Sequence, residues 1–279
     1  MPWGAPPRPA SLSSWKPLSS VSQSSARHRR RRIYPVLGAG AAAGVFIILL
    51  RSCGAESEPE PPHPTELGFP AAPQQEHPVV NEEAAGPGEV PITELVDPEW
   101  VSATADRTGI PERAVQSYGG AAAHLAQTDP DCGLGWNTLA GIGEVESHHG
   151  SYGGSSIGED GVVQPPIIGV PLDGSEGLME IPDTDGGELD GDEEWDRAVG
   201  PMQFIPTTWE QYAQDGNLDG ETDVHQYDDA ALAAAHYLCT HGEDLSTDRG
   251  WNDAVAAYNQ SAEYARDVAG HAERYLSDE

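Results

Sequence analysis

An apolar repeat in the middle of the chain constrains the fold most strongly. The repeat consists of Trp136, Leu139, Ile142 and Val145. Three-residue spacing of this kind is typical of a helix that lays one face on a core. Asn137 or Thr138 is expected to cap the start of this helix and Gly150 to end it. A helix of this kind needs other elements to cover its apolar face, so the sequence predicts a packed helical domain.

Glu146 falls in the last turn of the predicted helix, beside its apolar face. A carboxyl group at the margin of an apolar surface loses hydration, which favours its neutral form and makes it a usable proton donor near neutral pH. Glu144 cannot easily share this role, because two residues along a helix rotate its side chain by about 200°. A lone glutamate near a helix end is also common as a solvated surface residue. The helix therefore offers one candidate acid.

A second block, residues 200–209 (Gly-Pro-Met-Gln-Phe-Ile-Pro-Thr-Thr-Trp), is too apolar and too constrained by Gly and Pro for an ordinary linker. Thr207 and Glu210 have the spacing of a capping box, which predicts the start of a helix. Gln203 is therefore expected in a fixed turn, where its amide can bind a ligand or stabilise the turn. Residues 151–197, rich in Gly, Pro and Asp, are expected to form the wall of a cleft.

The chain resembles the lytic transglycosylases of the membrane-bound lytic murein transglycosylase B type. Four segments carry the resemblance in the right order: residues 142–147, 200–209, 228–239 and 257–264. The resemblance covers residues 95–279. It implies a mainly α-helical fold, a lysozyme-like α+β domain with a long irregular cleft loop.

This resemblance implies cleavage of the β-1,4 bond between N-acetylmuramic acid and N-acetylglucosamine in the glycan strands of peptidoglycan. Glu146 would protonate the leaving oxygen and then accept the proton of the muramic acid 6-hydroxyl, which closes a 1,6-anhydro ring. Glycosidases with two carboxylates need a second acid across the bond, and Glu193, Glu194 and Asp196 are the nearby candidates in sequence. The alternatives are a muramidase that uses water and a catalytically silent peptidoglycan-binding module.

The same resemblance implies that four residues bind the saccharide: Met202, Gln203, Tyr258 and Asn259. Aromatic faces suit the C–H groups of sugar rings, and an amide suits an N-acetyl group. For Tyr258, packing in the core is the alternative.

An acidic loop matches the first half of an EF-hand, with oxygen ligands at positions 1, 3 and 5 and Gly220 at position 6. Position 12 is Gln226 instead of Glu, but the resembled family closes a longer loop with an Asp three residues later. The expected ligands are Asp215, Asn217, Asp219, Glu221 and Asp229. We therefore expect a structural calcium ion or, alternatively, a solvated acidic turn. The catalytic scheme itself requires no cofactor.

The N-terminal part of the chain differs sharply from the rest. Residues 1–32 are basic, and residues 33–50 are mostly apolar and nearly long enough to cross a bilayer. This pattern predicts a single-pass signal anchor with the catalytic domain outside the cell membrane, in the cell wall. Lipidation at Cys53 and cleaved export to a secreted form are the alternatives.

Residues 51–94, rich in Pro, Glu and Gly, are expected to form a disordered linker before the catalytic domain at 95–279. The first 51 residues hold eight of the 14 Lys and Arg, whereas all 46 Asp and Glu follow them. Such an acidic surface excludes nucleic acid as a partner. The oligomeric state remains open.

Two cysteines lie in the catalytic region, Cys132 and Cys239. In an exported chain an even pair predicts a disulfide, and two buried thiols are the alternative. His148 and His149 have no Cys or His partner at metal-binding spacing, so we expect them on the polar surface near the cleft.

Overall fold

Helices dominate the computed structural model, which describes residues 68–175 and 178–277. The helices are α1 (Pro98–Thr108), α2 (Glu112–Thr128), α3 (Trp136–Ser147), α4 (Pro206–Tyr212), α5 (Tyr227–Gly242), α6 (Asp248–Tyr258) and α7 (Ala262–Arg274). Short 3-10 helices span Ile92–Leu95, Pro130–Cys132 and Tyr152–Gly154. This mainly helical architecture, with a few short strands, is consistent with the predicted lysozyme-like fold class.

The predicted basic segment 1–32, the signal anchor 33–50, the lipidation candidate Cys53 and the first part of the linker lie outside the described residues. Among the helices of the described part of the chain, none has the length and apolar character needed to cross a membrane.

The core is built around α2, α3 and α5. Alanines of α2 and α5 are almost completely buried where the two helices pack together, because small side chains let helices approach closely. On its other side α3 packs along α7. Trp136 at the start of α3 and Trp251 of α6 are fully buried, and the indole N–H of Trp251 donates to the hydroxyl of Thr138 in α3 at 3.1 Å. The helix that carries Glu146 is therefore held from two sides.

The start of α3 differs from the prediction. Its N-cap residue is Gly135, and neither Asn137 nor Thr138 caps it. Instead, the backbone N–H of Trp136 donates to the carbonyl oxygen of Glu76 at 3.0 Å. The cap prediction was wrong because a distant segment supplies the acceptor that local sequence was expected to provide.

That distant segment corrects the predicted linker as well. Residues 68–94 were expected to be disordered, but residues 70–76 lie along the domain. The buried side chain of Asn137 accepts from the backbone N–H of Glu76 at 3.0 Å and donates to the carbonyl of Gln74 at 2.9 Å. The side chain of Gln75 accepts from the N–H of Gly135 at 2.9 Å. The segment is ordered because buried polar groups of the domain satisfy its backbone.

Two further helices begin in different ways. Asp97 caps α1 by accepting from the N–H of Trp100 at 2.8 Å. By contrast, α4 begins at Pro206 without a side-chain cap, so the predicted capping box of Thr207 and Glu210 was wrong. Proline at the first helical position supplies the start signal instead.

The predicted disulfide is confirmed: Cys132 and Cys239 are bonded, with 5.3 Å between their Cα atoms. The bond joins the 3-10 helix before α3 to the end of α5.

The segment between α3 and α4 is long and irregular, as expected, and it contains two small antiparallel sheets. Strands β1 (Ser156–Ile157) and β2 (Val163–Gln164) form one hairpin. Strands β3 (Ile168–Pro171) and β4 (Arg197–Val199) form the other pair, and a register shift interrupts their ladder. The second pair leads directly into the turn that contains Gln203.

Candidate active site

Glu146 lies at the C-terminal end of α3 with 8% of its surface exposed. The hydroxyl of Tyr264, from the first turn of α7, donates to Glu146 Oε1 at 2.6 Å. Burial raises the pKa of Tyr264 well above its ordinary value, and the nearby Glu146 raises it further. Tyr264 therefore stays protonated and remains a hydrogen-bond donor to the carboxyl group.

The next residue connects the helix to the second sequence block. The hydroxyl of Ser147 donates to the carbonyl oxygen of Pro201 at 2.7 Å. The hydroxyl oxygen of Ser147 also accepts from the N–H of Gly150 at 2.8 Å. Since Ser147 is buried, both contacts are shielded from water. The position of Glu146 is thereby coupled to the Gly-Pro-Met-Gln turn.

Gln203 occupies the fixed turn that the sequence predicts. Its backbone has a φ of 51°, in the left-handed region, and its side-chain Nε2 donates to the carbonyl of Gly200 at 2.8 Å. Gly200 has a φ of 77°, and a Cβ there would come within 2.1 Å of the carbonyl oxygen of Val224. This turn therefore requires glycine at position 200.

The other three expected saccharide-binding residues hold buried positions. Met202 is fully buried, and the hydroxyl of Tyr258 donates to its carbonyl oxygen at 2.7 Å. Asn259 is also buried, and its side chain accepts from the N–H of Ser261 at 3.0 Å. The contact of Tyr258 holds the turn that contains Met202, and the contact of Asn259 orders the chain just before α7. Gln203 is the one of the four whose side chain is partly exposed, and direct contact of the other three with a saccharide stays a prediction.

Sequence reasoning did not include Tyr264 among the site residues, although it closes the 257–264 block. The signal that could have found it is a tyrosine just after a helix cap: Ser261 caps α7 and places Tyr264 one turn inside it. The partner, Glu146, lies 118 positions earlier in the chain.

The three candidates for a second carboxylate do not form a group. Glu193 and Glu194 are exposed on the loop before β4. Asp196 is fully buried and accepts from the backbone N–H and the hydroxyl of Thr184 at 2.9 and 2.8 Å. Burial raises the pKa of Asp196. The carboxyl group of Asp196 therefore stabilises the loop before β4 through Thr184.

Carboxylate oxygens of Asp183, Asp185 and Asp196 lie within 4.8 Å of one another, an arrangement that sequence reasoning did not anticipate. Backbone N–H groups of Gly186 and Leu189 donate to Asp183 and Asp185, respectively. These aspartates shape the loop before β4.

The predicted calcium loop is ordered by its own backbone. Asp215 accepts from the N–H groups of Asp219 and Gly220, and Asn217 accepts from that of Asp219. The oxygen-bearing side chains at the first three ligand positions are thus gathered on the loop, as a calcium site requires.

Asp229, the residue expected to close the loop, is held by the loop's own backbone. It is buried, and its two oxygens accept from the N–H groups of Gly216 at 2.8 Å and Asp223 at 2.9 Å. Burial raises its pKa to about 6. Asp229 therefore closes the loop through the backbone, and its role as a direct calcium ligand stays a prediction.

The expectation that both histidines lie on the polar surface was wrong for one of them. His148 is exposed, but His149 is buried. Its Nδ1 lies 3.0 Å from the hydroxyl of Tyr118, and its Nε2 lies 3.1 Å from Glu144 Oε2. The hydrogen bond with His149 lowers the pKa of Glu144 to about 2. The chain turns inward here because both histidines adopt left-handed backbone conformations.

Part of the chain is similar to known proteins. Residues 185–266 match the family model of the Transglycosylase SLT domain. No curated protein matches the chain. The chain is similar to the crystal structure of SltB3 from Pseudomonas aeruginosa in complex with NAG-anhNAM-pentapeptide, with 18% sequence identity and a TM-score of 0.37. The similarity covers 63% of this chain and 66% of that chain, which is less than two thirds of its length.

The family match contains Gln203, Tyr258, Asn259 and Tyr264, while Glu146 lies before its first residue. The contacts of Tyr264 and Ser147 connect Glu146 to the matched segment.

The Glu144–His149 contact predicts a pH dependence of stability. Because the pKa of Glu144 is depressed in the folded state, its ionised form stabilises the fold above the ordinary pKa of 4.5, and this contribution is lost as the pH falls toward about 2. Urea unfolding at several pH values should show that Glu144→Gln removes ~1–3 kcal/mol of stability at pH 6 and that wild type and variant converge near pH 2. Exposed Glu112 provides the control variant Glu112→Gln. Parallel pH profiles for wild type and Glu144→Gln would contradict this interpretation.

Proposed function

We propose that the protein is a lytic transglycosylase of the B type, which cleaves the bond between N-acetylmuramic acid and N-acetylglucosamine in peptidoglycan and leaves a 1,6-anhydro end. The observation that carries this proposal is the buried Glu146 carboxyl group, held by Tyr264 at 2.6 Å and coupled through Ser147 to the turn of Gln203. The match to the Transglycosylase SLT domain supports the substrate class.

A single acid is sufficient for this reaction. The hydroxyl of Tyr264 holds the carboxyl group of Glu146 in place, and that carboxyl group carries the transferable proton. Glu146 gives this proton to the leaving 4-oxygen of N-acetylglucosamine while the bond at C1 of the muramic acid breaks. The resulting carboxylate, stabilised by the Tyr264 hydroxyl, accepts the proton of the 6-hydroxyl as that oxygen bonds to C1. The engagement of Asp196 by Thr184 supports a scheme without a second carboxylate.

Gln203 is the residue best placed to recognise the saccharide. The contact of its Nε2 with Gly200 orients the amide, so the carbonyl end is the acceptor available to a ligand. An N-acetyl N–H group is the matching donor on either sugar of the glycan strand.

Replacing Glu146 with Gln tests the central assignment. The amide keeps the shape of the side chain but cannot donate and recover a proton, so we expect turnover of purified peptidoglycan to fall by at least about 100-fold. Mass spectrometry of the soluble products measures this and should show 1,6-anhydro ends for the wild type.

Glu112→Gln, at the exposed start of α2, is the control and should keep full activity. Undiminished turnover by Glu146→Gln would refute the assignment. Reducing ends in place of anhydro ends would identify a hydrolytic muramidase. Glycan binding without any products from the wild type would identify a binding module.

We further propose that the loop at Asp215, Asn217 and Asp219 binds calcium as a structural ion, since its oxygen donors are already gathered by backbone hydrogen bonds. Glu221 would contribute its backbone carbonyl. Calcium should raise the melting temperature of the wild type, and Asp219→Ala should abolish this increase. Magnesium serves as the comparison, because it dehydrates reluctantly and prefers fewer protein ligands. Equal melting temperatures with calcium and with chelator would show an acidic turn without an ion.

We also propose that the domain acts outside the cytoplasmic membrane, tethered by residues 33–50 to the cell membrane. The Cys132–Cys239 disulfide supports an oxidising compartment. Fractionation should recover the full-length chain with the membrane, and an external protease should reach the catalytic domain of intact wall-stripped cells. Recovery in the cytoplasm, or in the medium without residues 33–50, would contradict the tether.

A further inference from the structure

Gly169 lies in strand β3, next to the turn that contains Gln203. Its φ lies outside the left-handed region, so its backbone conformation is one that other residues adopt. Glycine is therefore not needed here for the shape of the chain. The absence of a side chain at position 169 matters instead for the space around the Cα atom.

That space is occupied from two sides. A Cβ on Gly169 would lie 3.2 Å from Gln203 Oε1 and 3.3 Å from the carbonyl oxygen of Ala198. Ala198 is buried within strand β4, where its backbone is held by the sheet. Of the two neighbours, the side chain of Gln203 is the one that can yield, and it would have to move by a few tenths of an ångström.

Gln203 has little freedom to move without consequence. Its backbone is fixed in a left-handed turn, and its Nε2 is committed to the carbonyl of Gly200. Among the described residues, no N–H or O–H group donates to Gln203 Oε1. Oε1 is thus the acceptor left for a ligand, and it is the atom that faces Gly169.

The strand that carries Gly169 is itself held in place. Arg197 Nη1 donates to the carbonyl oxygen of Gly169 at 3.1 Å, and Arg197 Nε donates to Asp192 Oδ2 at 2.9 Å. Both charged side chains are partly buried. The register shift between β3 and β4 falls in this stretch, and irregularities of this kind commonly re-aim groups beside functional sites.

We propose that Gly169 is a positioning residue for the saccharide site: its missing side chain sets the place of the Gln203 carbonyl oxygen, which accepts the N-acetyl N–H of the glycan. This inference rests on the proposed function and deepens it, because it assigns the approach of the β3 strand to substrate recognition. Arg197 keeps that strand at the required distance from Gln203.

The test compares Gly169→Ala with Ile168→Ala on soluble glycan oligosaccharides. Ile168 is the neighbouring residue of the same strand and is 42% exposed, so its truncation controls for a general effect on the strand. Gly169→Ala should lower kcat/KM by about 3- to 10-fold, mostly through a higher KM, with little change in melting temperature. Ile168→Ala should match the wild type.

A double-mutant cycle separates positioning of Gln203 from a structural effect. Gln203→Asn withdraws the amide by one methylene group, so adding Gly169→Ala in that background should cause no further loss. Independent, multiplicative losses from the two substitutions would overturn the proposal, and so would an equal loss in Ile168→Ala.

Glycan binding provides a readout that does not depend on turnover. Calorimetry with the Glu146→Gln protein should show that Gly169→Ala weakens the affinity for the same oligosaccharides by about 3- to 10-fold. If the wild type made no products but this loss of affinity were observed, the proposed reaction would fail while the role of Gly169 stood. An unchanged affinity would overturn the role of Gly169 whatever the reaction.

Discussion

The hydroxyl of Ser147 is the contact on which the arrangement of the site depends. It satisfies the carbonyl of Pro201 and the N–H of Gly150 at the same time, in a place that water does not reach. Leaving two buried backbone groups without partners would cost about 1–3 kcal/mol each. One small side chain thus fixes the end of α3, which carries Glu146, against the turn that contains Gln203, 54 positions later.

Several charged side chains of this acidic protein also connect separate elements of the fold. Arg113 forms a two-pronged pair with buried Asp228, tying α2 to α5. Arg197 pairs with Asp192 and supports β3, and Arg107 donates to the carbonyl of Tyr275. His149 stabilises Glu144 on the same helix as Glu146. These three arginines thus make contacts within the fold, while the acidic side chains on the surface are screened by the solvent and its cations.

The sequence predicted what depends on short-range patterns. The apolar repeat located α3, and the pair of cysteines in the catalytic region predicted the disulfide. Gln203 was placed in a fixed turn by the glycine and prolines around it. In each case the determining residues lie within a few positions of one another or have a single partner available.

Two of the failures share a cause, which is a partner far away in the chain. Asn137 looked like a helix cap, but its partners are Gln74 and Glu76, which sequence composition had assigned to a disordered linker. His149 was predicted to lie on the surface, but its two ring nitrogens contact the hydroxyls of Tyr118 and Tyr275 inside the fold. Polar residues in a sequence do not reveal which distant backbone or hydroxyl group will satisfy them.

The same limit applies to residues that act through what they lack. Gly141 and Gly143 lie inside α3, where glycine costs roughly 1 kcal/mol relative to alanine. A Cβ on Gly143 would lie 1.8 Å from the hydroxyl of Tyr118, and one on Gly141 would lie 2.7 Å from the carbonyl of Val268. These two glycines let α2 and α7 close on the helix from both sides. From α2, Tyr118 then reaches His149 behind the helix end, and α7 brings Tyr264 to Glu146. The acid is thus placed by close helix packing, and the intrinsic cost of the glycines is offset by the contacts that their small size allows.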